Sequence, residues 1–238
     1  RVLFRSLQKN SVDAARNVSG PLIGALNGAL MVFAQIPSFA LTLGTLGVLQ
    51  AATLTVTGSN VVYVMDNMDV VGWLFTLQWL TLPVAFWLAL LAAVLLWGVL
   101  RFTATGQGLA AIGFNERAAT LSGINVKALK VLAFALSGFF SGLAGLCVIS
   151  ISGAASSIGL GSDLLVPSIA AALAGGTAIT GGVCNPINVV FGALFIALIP
   201  VGSAAVGVNP QAQSIVYGVV LIVAVATTMS RSRNGIVK

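Results

Sequence analysis

The sequence predicts an all-α fold, a polytopic bundle of transmembrane helices, on three observations. Of its 238 residues 58% are hydrophobic and 7% charged, with no His, whereas a soluble domain of ordinary composition is about a quarter charged. The charges are confined: 17–65, 70–100, 131–162 and 164–230 hold no Asp, Glu, Lys or Arg, and each run exceeds the roughly 20 residues that cross a bilayer. The 27 glycines suit helices that associate in lipid, where burial against water drives nothing and close backbone packing must.

Taken in order, residues 1–19 form an amino-terminal flank without the uninterrupted apolar stretch of a signal peptide. With no Met at position 1, the expectation is that the chain lacks its true start. Seven apolar segments then read as candidate spans: about 20–36, 39–57, 80–100, 130–150, 164–178, 187–206 and 212–229. The first, GPLIGALNGAL, sets Gly20, Gly24 and Gly28 four apart on one helix face, and Gly138 and Gly142 repeat that spacing in FALSGFFSGLAGL. Such pairs fit a moving contact in a transport path or static helix packing, and the second needs fewer assumptions. Punctuation between spans comes from Pro37, which disfavours helix in the residue before it, and from Gly181-Gly182 and Asn185-Pro186. Between the third and fourth spans lies a polar connection, 101–129, and after the seventh a basic tail, 230–238.

The 11 basic residues fall in three places, Arg1 to Arg16, Arg101 to Lys130 and Arg231 to Lys238. In an apolar chain this excess reads as the positive-inside rule rather than as a nucleic-acid footprint, and places the connection and the tail in the cytoplasm. The span at 130–150 then exits, Asp163 is outside, and three further spans return the chain. Working backward, Asp66 and Asp69 are outside and Pro37 inside, so the segment before Gly20 is outside, against the basic charge of 1–16. Either 20–36 and 39–57 make one broken crossing, or the flank is truncated or partly foreign sequence; the second is the expectation.

Composition also excludes chemistry. No Lys is followed by Ser or Thr, so there is no P-loop to cradle nucleotide phosphates. Without His, and with five acids all in flanks and loops, the chain has no His-based triad, no intramembrane carboxylate pair and no metal cluster. Cys147 and Cys184 lack ligand spacing and read as small packing residues. Ion-coupled carriers often place ionisable groups in the membrane. None is here, although a sodium site of carbonyls and hydroxyls stays open. Transport energy is therefore expected from a partner.

The connection holds the single Glu of the chain, in AIGFNERAATLSGINVKALK. Asn115 can cap a helix that begins at Glu116, an acid suited to the helix dipole, and Gly123 suits the left-handed position that ends it. Gly113 separates this helix from a possible turn at Gly108 to Ile112, so two short helices at a membrane surface are expected. Physics alone leaves two readings, an ordinary interfacial loop or a docking surface.

The stretch through Leu146 resembles the permeases of ribose-type and related simple-sugar ABC importers. The matching residues are Ala111, Ile112, Gly113, Asn115, Ala118, Ala119, Ser122, Gly123, Ile124, Asn125 and Val126. Two further segments, in the family's order, are similar: Asn27, Gly28, Pro37, Phe39, Thr42, Leu43, Gly44 and Thr45, then Ile169, Ala170, Ala171, Gly175, Gly176, Thr177, Gly181 and Gly182. Departures are Gly106-Gln107, where the family usually has Gly-Arg, and Val183-Cys184-Asn185, where a basic residue is usual. The family's upstream spans are missing, so the chain looks like the last three quarters of a permease with about ten spans.

The resemblance implies a transport subunit, not an enzyme, in the bacterial inner membrane. Two permease subunits, identical or paralogous, would form the path; a periplasmic binding protein would deliver a ribose-like monosaccharide; and a cytoplasmic ATPase, which would hold the ATP and Mg, would dock on Ala111 to Val126. Asn115 and Glu116 would orient the docked surface, and Ala118, Ala119 and Gly123 would permit close approach. No cofactor is expected on this chain. Candidate path residues are Asn27, Phe39, Thr42 and Thr177, for each of which a helix-to-helix or same-helix hydrogen bond is an equal reading. Furanones of the autoinducer type, nucleosides and branched-chain amino acids are the competing substrates. A stand-alone channel or ion-coupled carrier is the competing class.

Overall fold

The computed structural model describes residues 19–57, 62–63, 78–79, 82–152, 154–155, 161, 164–178, 181–207, 215–219 and 222–223. The flank before Ser19, the acids Asp66, Asp69 and Asp163, most of the span expected at 212–229 and the tail at 230–238 lie outside the described residues.

The described architecture is helical: α1 (Ser19–Ala34), α2 (Ser38–Thr57), α3 (Val84–Phe102), α4 (Ala104–Phe114), α5 (Glu116–Leu121), α6 (Val126–Ser152), α7 (Leu165–Ala174) and α8 (Pro186–Ala205). Four of these are long and apolar enough to cross a membrane, over Ser38–Thr55, Val84–Phe102, Val126–Ile149 and Pro186–Ala205. The segment expected at 164–178 contains the shorter α7, because Gly175 and Gly176 stop it. At about 1.5 Å per residue that helix covers only part of a bilayer. Residues 215–219 and 222–223 are also helical, and four two-residue strands accompany the helices: β1 (Val62–Tyr63), β2 (Gln78–Trp79), β3 (Leu82–Pro83) and β4 (Ala154–Ala155).

The chain divides into two compact units, 1–85 with 125–160, and 86–124 with 161–238. In the first, α1 and α2 are joined by 35–37, where Gln35 takes a left-handed φ of 53°. Thr45 Oγ1 donates to Asn27 Oδ1 at 2.8 Å. Asn27 and Thr45 stand equally far, nine residues, on either side of Ile36 (36 − 27 = 45 − 36), so the two helices fold back as an antiparallel hairpin. The single broken crossing considered from the sequence is thereby excluded, because segments continuing in one direction could not bring these residues together.

α1 also lies antiparallel along α6. A Cβ placed on Gly20 would meet the Gly138 carbonyl oxygen at 2.6 Å, one on Gly24 the Gly138 Cα at 3.1 Å, and one on Gly28 the Val131 Cα at 2.9 Å. At such distances only hydrogen fits, which is why small residues recur at intervals of four. β1 pairs with β4, Val62 opposite Ala155 and Tyr63 opposite Ala154. The exit of α2 and the exit of α6 therefore share one side of the membrane, as the charge parity requires.

In the second unit α3 is apolar around its whole circumference, as a lipid-exposed span is. It ends at an interfacial anchor: the Arg101 guanidinium lies 5.4 Å from the Trp97 ring centre, and Phe102 meets the same ring edge-on at 5.6 Å. α7 and α8 pack together. Asn185 Oδ1 accepts from the Ile187 N–H at 3.2 Å to start α8, with Pro186 in the first turn, where its missing N–H costs nothing. Ala170 and Ala171 meet Ile196 in a small core, flanked by Ile199 and Tyr217. A Cβ on Gly175 would stand 2.6 Å from the Val189 Cα, and one on Gly192 2.7 Å from the Gly175 nitrogen.

Candidate coupling site

The polar connection is built by caps. Thr103 breaks from helical geometry at φ −105°, and its Oγ1 accepts from the Gly106 N–H at 3.2 Å, which starts α4. Gly106 is buried against Leu100 so closely that a Cβ would reach 2.6 Å from that residue's carbonyl carbon. The two short helices expected here are present, but the first extends well beyond the turn expected at Gly108 to Ile112: α4 runs from Ala104 to Phe114, through Gly113. The sequence signal for this start is Thr103, a hydroxyl residue directly before a helix-compatible stretch.

Asn115 ends α4 and begins α5. Its backbone, at φ −158° and ψ 104°, leaves the helix while its N–H still donates to the Ala111 carbonyl at 3.0 Å. Its Oδ1 accepts from the Ala118 N–H at 3.1 Å. Glu116 follows in the first turn, exposed, where a negative charge is favourable. Two hydroxyls bond back along α5, Thr120 Oγ1 to the Glu116 carbonyl and Ser122 Oγ to the Ala118 carbonyl. The helix ends at Gly123, φ 80°. The Gly123 N–H donates to the Thr120 carbonyl and the Ile124 N–H to the Ala119 carbonyl, both at 3.1 Å; this pair of bonds is a Schellman motif. Asn125 Oδ1 then accepts from the Ala128 N–H at 3.1 Å, opening α6.

Two faces result. Ala119 is turned inward, 3% exposed, so of the small residues expected at a docked surface it supports α5 from beneath. Asn115, Glu116, Arg117, Ala118, Ser122 and Gly123 are exposed, as are two large apolar side chains, Phe114 at 72% and Leu121 at 89%. Neither apolar residue stood out in the sequence, because each could equally have faced inward.

Beneath the carboxyl end of α4 lies the turn that joins α7 to α8. Its ends are tied by the Ala178 N–H donating to the Val183 carbonyl at 3.0 Å, with Gly181 N–H to the Ala178 carbonyl at 3.1 Å. Gly181 and Gly182 have φ of 90° and 84°. A Cβ on Gly113 would overlap the Gly182 backbone nitrogen and stand 2.6 Å from its Cα, and one on Gly182 would stand 2.9 Å from Phe114 Cδ1. Residues more than sixty positions apart, and from two separate sequence motifs, thus meet backbone to backbone.

The four candidate path residues have different settings. Asn27 accepts the interhelical bond from Thr45. Thr42 Oγ1 bonds within its own helix, to the Ser38 and Phe39 carbonyls at 3.0 and 3.1 Å, and Phe39 is 73% exposed. Thr177 belongs to the second unit. Its N–H donates to the Ala172 carbonyl, closing a second Schellman motif around Gly176, φ 82°. Its Oγ1 is buried without a hydrogen-bond partner among the described residues. Those residues also contain no group of three potential metal-ligating side chains.

Residues 15–225 match the family described as the branched-chain amino acid transport system permease component. The chain belongs to that family. Among its relatives the ribose import permease protein of Haemophilus influenzae is 34% identical over 209 residues, 87% of this chain and 64% of the relative. The D-allose transport system permease protein of Escherichia coli is 34% identical over 208 residues, 87% of this chain and 63% of the relative. The ribose import permease protein of Bacillus subtilis is 32% identical over 206 residues, 87% and 64%. The chain thus spans a little under two thirds of the length of these relatives. No solved structure matches it. Membership of a permease family and the four apolar helices make this a multi-pass membrane protein, and the glycine contacts described above lie inside the matched region.

Proposed function

We propose that the chain is a membrane subunit of an ABC importer of the bacterial inner membrane and forms part of the path for a simple sugar. The observation that carries this reading is the match over 87% of the chain to permeases named for ribose and allose. The connection supports it. A protein without a P-loop needs an outside source of work, and α5 offers a short, doubly capped helix with Leu121, Glu116 and Arg117 outward. A cytoplasmic ATPase that holds ATP and Mg docks there. Its closure moves α5 as a rigid piece, and the spans on either side follow. A second permease subunit completes the path, a binding protein outside the membrane delivers the sugar, and selection resides largely in that protein.

Reconstitution into proteoliposomes tests the proposal. Uptake of ribose or allose is expected only when the ATPase subunit, ATP and the loaded binding protein are all present. Saturable uptake by the permease alone would overturn it in favour of an ion-coupled carrier. Within the working complex, Gly123→Val and Glu116→Lys are expected to leave membrane insertion intact and to separate ATP hydrolysis from uptake. Unchanged uptake in both would remove α5 from the docking contact.

A further inference from the structure

We infer that the α7–α8 turn is a second output of the coupling connection, driven through the backbone contact of Gly113 with Gly181 and Gly182. The inference rests on the proposed docking of an ATPase at α5. α4 leads directly into α5 with Asn115 as the shared cap, so a displacement of α5 is carried into the carboxyl end of α4. At that end no side chain cushions the contact. The Gly113 Cα faces the Gly182 nitrogen and Cα, and the Phe114 ring packs against Gly182. A backbone-to-backbone contact between rigid pieces transmits displacement with little loss, because packed interfaces switch between discrete arrangements rather than deform smoothly.

The receiving piece is tied at both ends. Ala178 bonds to Val183 and Gly181 to Ala178, and the flanking helices interlock through Gly175 against Val189 and Gly192 against Gly175. Motion delivered to Gly182 therefore moves α7 and α8 together. It also reaches Thr177, four residues before Gly181, whose buried hydroxyl has no hydrogen-bond partner among the described residues. The ATPase thus acts on α7 and α8 without a direct covalent link, and Gly113, Gly181, Gly182 and Phe114 are positioning residues for transport.

The test uses the complete complex of permease, ATPase and binding protein, and reads three quantities: ATPase co-purification, ATP turnover, and sugar transported per ATP. Gly113→Ala is expected to preserve co-purification and ATP turnover while transport per ATP falls by roughly tenfold, within the range over which substitutions along a coupling network act. Phe114→Ala, at an exposed side chain that the fold tolerates losing, is expected to give a smaller fall of the same kind, and Phe114→Tyr to restore the wild-type ratio. Unchanged transport per ATP in Gly113→Ala and Phe114→Ala would overturn the second output while leaving the docking proposal intact. Loss of ATPase co-purification in Phe114→Ala would overturn it too, by making Phe114 part of the docked surface. Absence of ATPase co-purification with the wild-type permease would instead defeat the underlying proposal.

Discussion

At the scale of single residues, the hydrogen-bonded polar side chains described above are spent within their own helix, between two helices or where a helix begins or ends. Thr42 is of the first kind, Asn27 of the second, Asn115 and Asn125 of the third, and Thr177 of none. Replacing Thr177 by the near-isosteric Val removes a buried hydroxyl that has no hydrogen-bond partner among the described residues. Thr177→Val is therefore expected to leave stability unchanged or raised by up to about 1 kcal/mol in thermal unfolding of the purified permease, and to lower transport if that hydroxyl meets the sugar. Asn115→Ala is expected to cost α5 about 1 kcal/mol, visible as faster hydrogen exchange at the Ala118 amide, while Asn115→Asp keeps the protection. The caps at Asn115 and Gly123 could be read from the sequence because they depend on residues within five positions. The inward turn of Ala119 and the exposure of Leu121 could not, since a six-residue helix is too short for apolar periodicity to say which side faces in.

At the scale of elements, helix packing rests on backbone approach rather than on apolar bulk. The spacing of Gly20, Gly24 and Gly28 was visible in the sequence, and so was that of Gly138 and Gly142. That the two sets face one another was not, because spacing four defines a face and not its partner. Gly24→Val is expected to separate α1 from α6, since its Cβ alone would stand 3.1 Å from the Gly138 Cα. A loss of about 1–3 kcal/mol is expected in thermal unfolding in detergent, whereas Gly44→Ala, with open space around its Cα, is expected to change little. α7 shows the limit of span reading by hydropathy. Its sequence is apolar well past Ala174, yet the left-handed Gly176 ends the helix there.

At the scale of the whole molecule, charge parity predicts which connections share a side of the membrane, and three contacts agree with that grouping without saying which side is cytoplasmic: β1 with β4, α1 antiparallel to α6, and Gly113 with Gly182. The last places the exposed Cys184 on the same side of the membrane as Arg117. A membrane-impermeant thiol reagent is expected to label Cys184 only from the side that carries the connection, as judged in oriented vesicles; labelling from the opposite side alone would reverse the topology of α7. The fold class was legible because composition in lipid has few solutions: the backbone must satisfy its own hydrogen bonds, and helices do so locally. Contacts between distant motifs were not legible, because no local rule links Gly113 to Gly182.

The double capping of α5 bears on how fast and how tightly a partner is met. Both ends of that helix are closed by its own sequence, Asn115 in front and Gly123 behind, so its shape is settled before any encounter. A flexible loop in its place would have to surrender backbone freedom on docking, at roughly 1–2 kcal/mol for each residue fixed. Preorganisation removes that opposing entropy, which leaves affinity to the chemistry of the exposed side chains and would let the proposed ATPase be held through repeated cycles without refolding its contact each time.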